Sequence, residues 1–404
     1  MNYKEMISVE EAIEEIRSNV QNTDLEEVNL TDSYGRVLGK EFYATVSHPP
    51  QNVSSMDGYA CNISDLKDAH TTLKVIGEIR PGENFQGKIN KDETARIFTG
   101  GTVPDGANII IIQENVSVKE NNILINNYDL SNTFIRKKGL DFSIGDAVNK
   151  IGKKINSCDI GLAAAMNVSK LMVRKKPKIS IISTGDELVE LGSKANNHQI
   201  VSSTSLPLSM LANKYGAKTL DLGIAKDNED SINNLIDKTS GSDLVVTIGG
   251  ASVGDHDLVR STLAKKGLKI HFWKIAMRPG KPLMFGSLNG VPIISLPGNP
   301  VSSIVCSILF LSNAIHSMLA RTDKCVEKKI GYLSRELKQN DSRQDYLRSQ
   351  ITGYEEEKTL ISPFVKQDSS MISTLAKADC LAIRPPNAAA AKIGEQIEFI
   401  PITI

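Results

Sequence analysis

Ser183-Thr184-Gly185-Asp186-Glu187-Leu188, Gly249-Gly250-Ala251-Ser252-Val253-Gly254-Asp255-His256-Asp257 and Leu296-Pro297-Gly298-Asn299-Pro300-Val301-Ser302-Ser303 are three polar or glycine-rich turns, each fed by an apolar run. The runs Ile179–Ile182, Leu244–Ile248 and Pro292–Leu296 have the length and β-branched content of buried strands. Between them the spacing predicts a helix over Thr204–Tyr215 stopped by Gly216, a strand over Thr219–Leu222 and a helix over Asn228–Lys238. This alternation is βαβ logic and implies a mostly parallel sheet. In such sheets ligands bind beyond the carboxyl ends of the strands, where backbone N–H groups and helix N-termini converge. Three such turns on one edge imply an anion-binding crevice.

Outward from this unit, Asn299 and Pro300 are an N-cap and N1 pair that opens a long apolar helix suited to a buried position. Short alternating strands from about Val326 to Ile404 read as a small β-barrel-like module. Towards the N-terminus, Ser8 and Glu11 form a capping box ahead of an amphipathic helix. From Leu30 to Gly145, short apolar runs separated by Gly, Pro, Asn and Asp read as β-rich. The expected architecture is multidomain α+β and α/β. Residues 1–45 plus 146–177 form a discontinuous N-terminal and linker domain, and 46–145 an inserted β-rich domain. Residues 178–325 form the α/β domain, and 326–404 the C-terminal barrel.

The 404 residues carry 47 basic and 47 acidic side chains, so global charge favours neither nucleic acid nor an anionic membrane. The run Arg136-Lys137-Lys138 lacks the aromatic stripe of a nucleic-acid surface. Five scattered cysteines without CxxC spacing read as reduced structural thiols, and the first residues lack the basic-then-apolar order of a signal peptide. A cytoplasmic location without membrane attachment is the expectation. Six scattered His residues without HExxH argue against a zinc hydrolase.

No GxGxxG follows a strand, and Gly280-Lys281 lacks the rest of a P-loop. Gly249 and Gly250 let the backbone approach a ligand closely, and Ser252 adds a hydroxyl. An ordinary strand-to-helix loop with Asp257 as N-cap fits that segment equally. Glu187, Asp227 and Asp257 stand at the turns, and Mg²⁺ typically takes one or two carboxylates plus substrate phosphates. Asp227, three residues before Asp230, also fits a plain helix cap. Lys274, Arg278 and Lys281 lie in a segment stiffened by Pro279, Gly280 and Pro282, as an oxyanion site or a solvated hairpin loop. Asp57 and Asp141 fit turn positions in the β-rich region.

Seven ordered segments resemble the molybdopterin molybdenumtransferases of the MoeA type, a family that includes the C-terminal domain of gephyrin. They are Pro49 with Ser54 to Ala60, Phe98 to Pro104, Arg136 with Gly139 and Asp141, Ser183 to Leu188, Gly249 to Asp257, Arg278 to Pro282, and Leu296 to Ser302. The resemblance covers nearly the whole chain. It implies insertion of molybdate into adenylylated molybdopterin, with Mg²⁺-assisted release of AMP, by an elongated homodimer. It implies that Glu187, Asp227 and Asp257 line the pterin-phosphate and metal site, and that Lys274, Arg278 and Lys281 offer positive charge. Asp57, Thr99 and Asp141 would face the crevice from the inserted domain of a partner subunit and assist metal binding or cleavage, Asp57 as a metal ligand. Gly249, Gly250, Ser252, Pro297, Gly298 and Pro300 would shape the crevice, with Arg348 and Ser370 contributing from the barrel.

Three positions depart from the family pattern. Arg278 stands where Lys is commoner, Ser202-Ser203-Thr204 replaces an Asp-Ser-Asn triplet, and Cys380 replaces a common glycine. The competing readings are a molybdopterin adenylyltransferase, which normally lacks the flanking domains, and a non-catalytic scaffold of the gephyrin kind. Contacts with an adenylyltransferase and with molybdoenzyme acceptors are further expectations.

Overall fold

The computed structural model describes residues 3–67, 70–250, 258–355 and 358–402. Its centre is a seven-stranded sheet in the order Lys4–Ile7, Lys269–Ile275, Met284–Leu288, Val291–Leu296, Leu244–Ile248, Lys178–Thr184, Lys218–Ala225. Pairing is parallel throughout the last four strands, and only Met284–Leu288 runs against its neighbours. Leu244–Ile248 is buried at every residue, the pattern of a strand covered on both faces. Helices Ser205–Tyr215 and Pro300–Met318 cover one face, while Glu229–Asp237 and Leu258–Lys265 cover the other.

The local signals explain these elements. Gly216, at φ 107°, ends the helix Ser205–Tyr215 in the left-handed conformation that a glycine adopts without strain. The helix Pro300–Met318 has mean hydropathy 1.5 and would be long enough to cross a membrane, yet it is 94% buried within the protein. It is the central strut of the largest core cluster, with a π-helical turn over Ser307–Leu311.

Ser8 and Glu11 form the capping box of the helix Val9–Asn19, whose Val9, Ala12 and Ile16 are buried. The sequence groups these residues with the linker domain. They pack instead on the α/β core: Lys4–Ile7 pairs in parallel with Lys269–Ile275, and Ala12 and Ile16 share a cluster with Phe272 and Ile315. The rest of the linker has its own core around Leu38, Phe142, Ala163 and Val173.

The inserted domain is a six-stranded sheet in the order Ile109–Ile112, Gly58–Cys61, Glu93–Ile97, Thr72–Ile79, Asn122–Ile125, Val116–Lys119. Near the C-terminus, Gln344–Glu355, Lys358–Pro363, Lys329–Leu333, Gln396–Pro401 and Cys380–Arg384 close into a five-stranded barrel, because the first strand also pairs with the last. Closure removes the exposed sheet edges that a small β-module would otherwise carry. A short extension, Met277–Arg278, pairs with Gln344 and Asp345 and fastens the barrel to the α/β domain. Tyr346, Leu375, Leu381, Ile383 and Ile400 of the barrel belong to the α/β core cluster, so the two units share one hydrophobic interior. All five cysteines are unpaired, and Cys61, Cys306 and Cys380 are buried.

Candidate functional site

A cavity of about 820 Å³ lies beyond the carboxyl ends of the parallel strands, where the turn sequences place a ligand. Its walls bring together Glu187, Asp227, Gly249, Gly250, Pro297, Gly298, Pro300 and Ser370, eight of the residues expected from sequence. Ser252 and Asp257 lie outside the described residues.

The floor needs glycine. Gly249 has φ 88°, and a Cβ there would sit 2.5 Å from the Thr184 carbonyl oxygen; a Cβ on Gly250, at φ 62°, would meet Val259 at 2.2 Å. At Gly298 an added Cβ would make only an ordinary contact, 3.5 Å from the Gly249 Cα, so the requirement rests on Gly249 and Gly250. The strand-end loops thus pack backbone against backbone and leave room above them for a ligand.

The carboxylates are organised by cross-loop hydrogen bonds. The Asp186 amide donates to Asp227 Oδ2 at 3.4 Å, and the Asp227 amide donates to Asp186 Oδ1 at 3.1 Å. The helix Glu229–Asp237 is capped by Asn228, whose side chain accepts from the Ser231 amide. Asp227 is therefore not the helix cap its spacing suggests, and its carboxylate lines the cavity.

The three cations expected nearby do not line the cavity; Pro282 alone from their segment does so. Lys274 Nζ sits 3.8 Å from the centroid of the Trp273 ring and 3.7 Å from Glu5 Oε1. Arg278 Nη2 donates to Asp345 Oδ2 at 2.5 Å and to Asn340 Oδ1 at 3.3 Å, while Nη1 donates to Asp341 Oδ2 at 3.2 Å. Its charge is directed to the barrel. Asp345 is 5% exposed; burial pushes its carboxyl above the usual range, and Arg278 opposes that rise. Lys281 is exposed on the turn beside Pro282.

Arg348 is 1% exposed and also stands outside the lining. Nε donates to Gln367 Oε1 at 3.1 Å and Nη1 to the Asp368 carbonyl at 2.8 Å. It anchors the barrel loop that carries Ser370 and Ile372 into the cavity wall. The same loop reaches the long helix: Asn299 Nδ2 donates to Ser369 Oγ at 3.0 Å, and the Val301 amide donates to the Ser369 carbonyl at 3.2 Å. Asn299 makes no side-chain cap of its own helix, so the barrel satisfies one of the amides left open at that N-terminus.

In the inserted domain, the marker segments converge on a second cluster. Asp57 Oδ1 accepts from the Thr99 amide and from Thr99 Oγ1, both at 2.8 Å, which holds the Asp57 carboxyl below the usual range. Val53–Ser54 pairs with Ile135–Arg136, the Gly139 amide donates to the Pro49 carbonyl, and the Asp141 amide donates to the His48 carbonyl. Asp57, Thr99 and Asp141 are absent from the strand-end cavity of the same chain. Among the described residues no three His, Cys, Asp or Glu side chains gather as a metal cage. Sequence reasoning passed over Ser183, Thr184 and Ile372 as site residues; the first two sit within a quoted turn, and nothing in the sequence marks the third.

The fold and cavity define a multidomain α/β protein with a strand-end ligand site walled by a C-terminal barrel. Residues 7–167 match the MoeA N-terminal region (domain I and II), residues 180–317 a probable molybdopterin binding domain, and residues 331–402 the MoeA C-terminal region (domain IV). The molybdopterin molybdenumtransferase of Haemophilus influenzae is 30% identical over 382 residues, covering 94% of each chain. That of a Nostoc species is 33% identical over 303 residues, covering 73% of this chain and 70% of the relative. A solved MoeA protein of Pyrococcus horikoshii superposes with a TM-score of 0.87 at 29% identity, covering 98% of this chain and 99% of that one. The chain belongs to the molybdopterin molybdenumtransferase family, and it is an enzyme with a role in molybdenum cofactor biosynthesis.

Proposed function

We propose that this enzyme inserts molybdenum from molybdate into adenylylated molybdopterin, releasing AMP, with Mg²⁺ as the assisting metal. The observation that carries the proposal is the strand-end cavity, where Glu187 and Asp227 face a glycine floor. Hard oxygen donors in that number suit Mg²⁺ held jointly by one or two carboxylates and substrate phosphates. Glu187 and Asp227 would hold it there; when bound it would neutralise phosphate charge as the pyrophosphate link breaks.

The chain's own residues would divide the remaining work. Gly249, Gly250 and Gly298 would let the substrate approach main-chain atoms, and the Ser370 loop would close one side against water. Lys274 and Lys281 would attract the incoming anion from outside the cavity. Asp57, paired with Thr99, would remain ionised at neutral pH and accept a hydrogen bond or metal contact. Since Asp57, Thr99 and Asp141 do not line the cavity of their own chain, a homodimer in which each inserted domain faces the partner's cavity is the assembly that unites them. The cytoplasm is the proposed location. An adenylyltransferase and molybdoenzyme acceptors are the proposed partners.

The test is incubation of purified protein with adenylylated molybdopterin, Mg²⁺ and molybdate, following AMP with a molybdate-free control. Molybdate-dependent AMP is the expected outcome. Consumption of ATP with free molybdopterin would point to an adenylyltransferase, and binding of substrate without AMP would point to a scaffold.

A further inference from the structure

The helix Ser205–Tyr215 ends at a second cavity, of about 380 Å³, that shares no residue with the strand-end site. Thr204, just before the first turn, lines the strand-end cavity, whereas Leu211, Lys214 and Tyr215 of the last turns line this one. At 1.5 Å per residue the helix holds the two about 16 Å apart. The other walls are Ile308 of the central strut, the connecting segment 324–329 and the end of the last barrel strand, residues 400–402. The α/β domain, the connection and the barrel all meet here.

Its surface divides into an apolar floor and a basic rim. Leu211, Ile308 and Ile400 are 2%, 4% and 2% exposed and form the floor. The charged residues above it are the exposed Lys214, Lys324 and Lys329 against one carboxylate, Glu327. Among the described residues Lys324 and Lys329 enter no side-chain hydrogen bond or ion pair. Asp323, next to the rim in sequence, is already engaged: Arg321 Nε donates to its Oδ1 at 2.9 Å, and His316 Nε2 lies 3.3 Å from the same oxygen. Behind the rim, Lys154 Nζ donates to the Lys214 carbonyl at 3.4 Å. Burial, then Arg321 and Lys214, push the Lys154 amine below its ordinary value although Asp323 opposes them, as a positive field at this corner requires. Burial raises the half-buried Tyr215 phenol to about 12, so it stays a donor at neutral pH. A volume within the small-molecule range of about 300–1,000 Å³, a floor that sheds water and a rim of cations together select an anionic head on an apolar body.

We propose that this cavity binds a small amphiphilic organic anion, a carboxylate or sulfonate carrying an apolar body, with Lys324 and Lys329 at the head group and Leu211, Ile308 and Ile400 under the body. The site stands apart from the transferase proposal, because none of its residues lines the strand-end cavity. Its ligand would touch the helix Ser205–Tyr215, the connecting segment and the barrel at once, so binding should raise the melting temperature of the full chain.

The experiment is fluorescence titration of the full chain with anilinonaphthalene sulfonate, an aromatic sulfonate that brightens in apolar surroundings. Wild type, the double variant Lys324→Gln/Lys329→Gln and Lys266→Gln are compared, with the melting temperature of each measured without ligand. Lys266 lines a separate cavity of about 420 Å³ and is paired with Asp237 at 2.6 Å, so it controls for binding to clefts in general. The expected result is a single saturable site per chain, about fivefold weaker in the double variant, the scale of two exposed charges, and unchanged in Lys266→Gln. The double variant should melt as wild type, since both lysines are exposed and unpaired. Octanoate should displace the dye, while acetate, with the same charge and almost no body, should need at least about a hundredfold higher concentration. Equal dye affinity in wild type and the double variant, no saturable site, or acetate as effective as octanoate overturns the proposal. Sedimentation of the same samples covers the other occupant: a double variant with altered oligomeric state and unchanged dye affinity would make this surface a contact between copies of the chain, and the ligand site would fall.

Discussion

Replacing Arg278 with Met should unfasten the barrel from the α/β domain. The guanidinium of Arg278 is half exposed, but Asp345, its partner at 2.5 Å, is 5% exposed. Removing the cation leaves a carboxylate in a site that already pushes its pKa upward. Loss of one member of a buried pair costs about 3–5 kcal/mol. Solvent at the arginine end reduces this to about 2–3 kcal/mol, and the second partner, the exposed Asp341, adds less than about 1 kcal/mol. Trp273, the only tryptophan and 7% exposed, reports unfolding by fluorescence in urea. Trp273 packs in the core on the other face of the sheet from the shared one, so its signal reports unfolding of the α/β unit, to which the shared core couples the barrel. The loss should depend on pH in a definite sense. An acid whose folded pKa is raised contributes least stability above that pKa and regains it as protonation sets in. The Arg278→Met penalty should accordingly be largest near pH 7–8 and shrink as pH falls through the raised Asp345 value. The double variant Arg278→Met/Asp345→Asn should recover more than half of the loss, since the unpaired charge is gone. A single variant as stable as wild type, yet inactive at saturating molybdate, would refute the interdomain role and restore Arg278 to the reaction.

Other substitutions probe the remaining parts. Gly249→Ala combines a positive φ with a Cβ 2.5 Å from a carbonyl oxygen, so it should destabilise by about 1–3 kcal/mol in urea and abolish AMP release. Asp57→Ala and Lys274→Ala should unfold at nearly the wild-type urea concentration but lose turnover, because Asp57 is a half-buried carboxylate held by Thr99 and Lys274 is held by Glu5 and Trp273. Normal activity in both would remove them from the site. Arg348→Met leaves the Ser370 loop without its buried anchor and should cost about 2–4 kcal/mol by calorimetry while raising KM more than it lowers kcat.

The α/β unit was legible because its signals are local. Ile179 to Ile182 and Leu244 to Ile248 are β-branched runs of strand length, and Gly216 ends its helix where an αL residue is needed. The barrel was legible as a module, though its closure depends on the Gln344–Glu355 strand pairing on both sides, which no periodicity encodes. Lys4–Ile7 escaped notice as a strand of the central sheet because four residues carry little pattern and its partner, Lys269–Ile275, is remote in sequence.

At the site, the turn glycines and carboxylates could be placed because the ends of parallel strands must meet. Arg278 and Arg348 could not. Their residue type fits an anion site as well as a structural tie, and what separates the two is a buried Asp345 in the neighbouring barrel for Arg278 and a Gln367 of its own barrel for Arg348. Asp227 was obscured for a different reason: Asn228, one residue later, is an equally good cap and is the one the helix uses. Ser183 reads in the sequence as the start of a polar turn, whereas it stands in the strand Lys178–Thr184, buried and with no hydrogen-bond partner for its hydroxyl among the described residues.

The central claim is that the strand-end cavity couples AMP release to molybdenum insertion. It is tested most directly by reacting wild-type protein and Glu187→Gln with adenylylated molybdopterin, Mg²⁺ and molybdate, then measuring AMP by chromatography and pterin-bound molybdenum by mass spectrometry in the same samples. The account predicts equimolar AMP and pterin-bound molybdenum for wild type, both dependent on molybdate, and loss of both in Glu187→Gln. AMP released at the same rate without molybdate, or full activity in the Glu187→Gln protein, would contradict it.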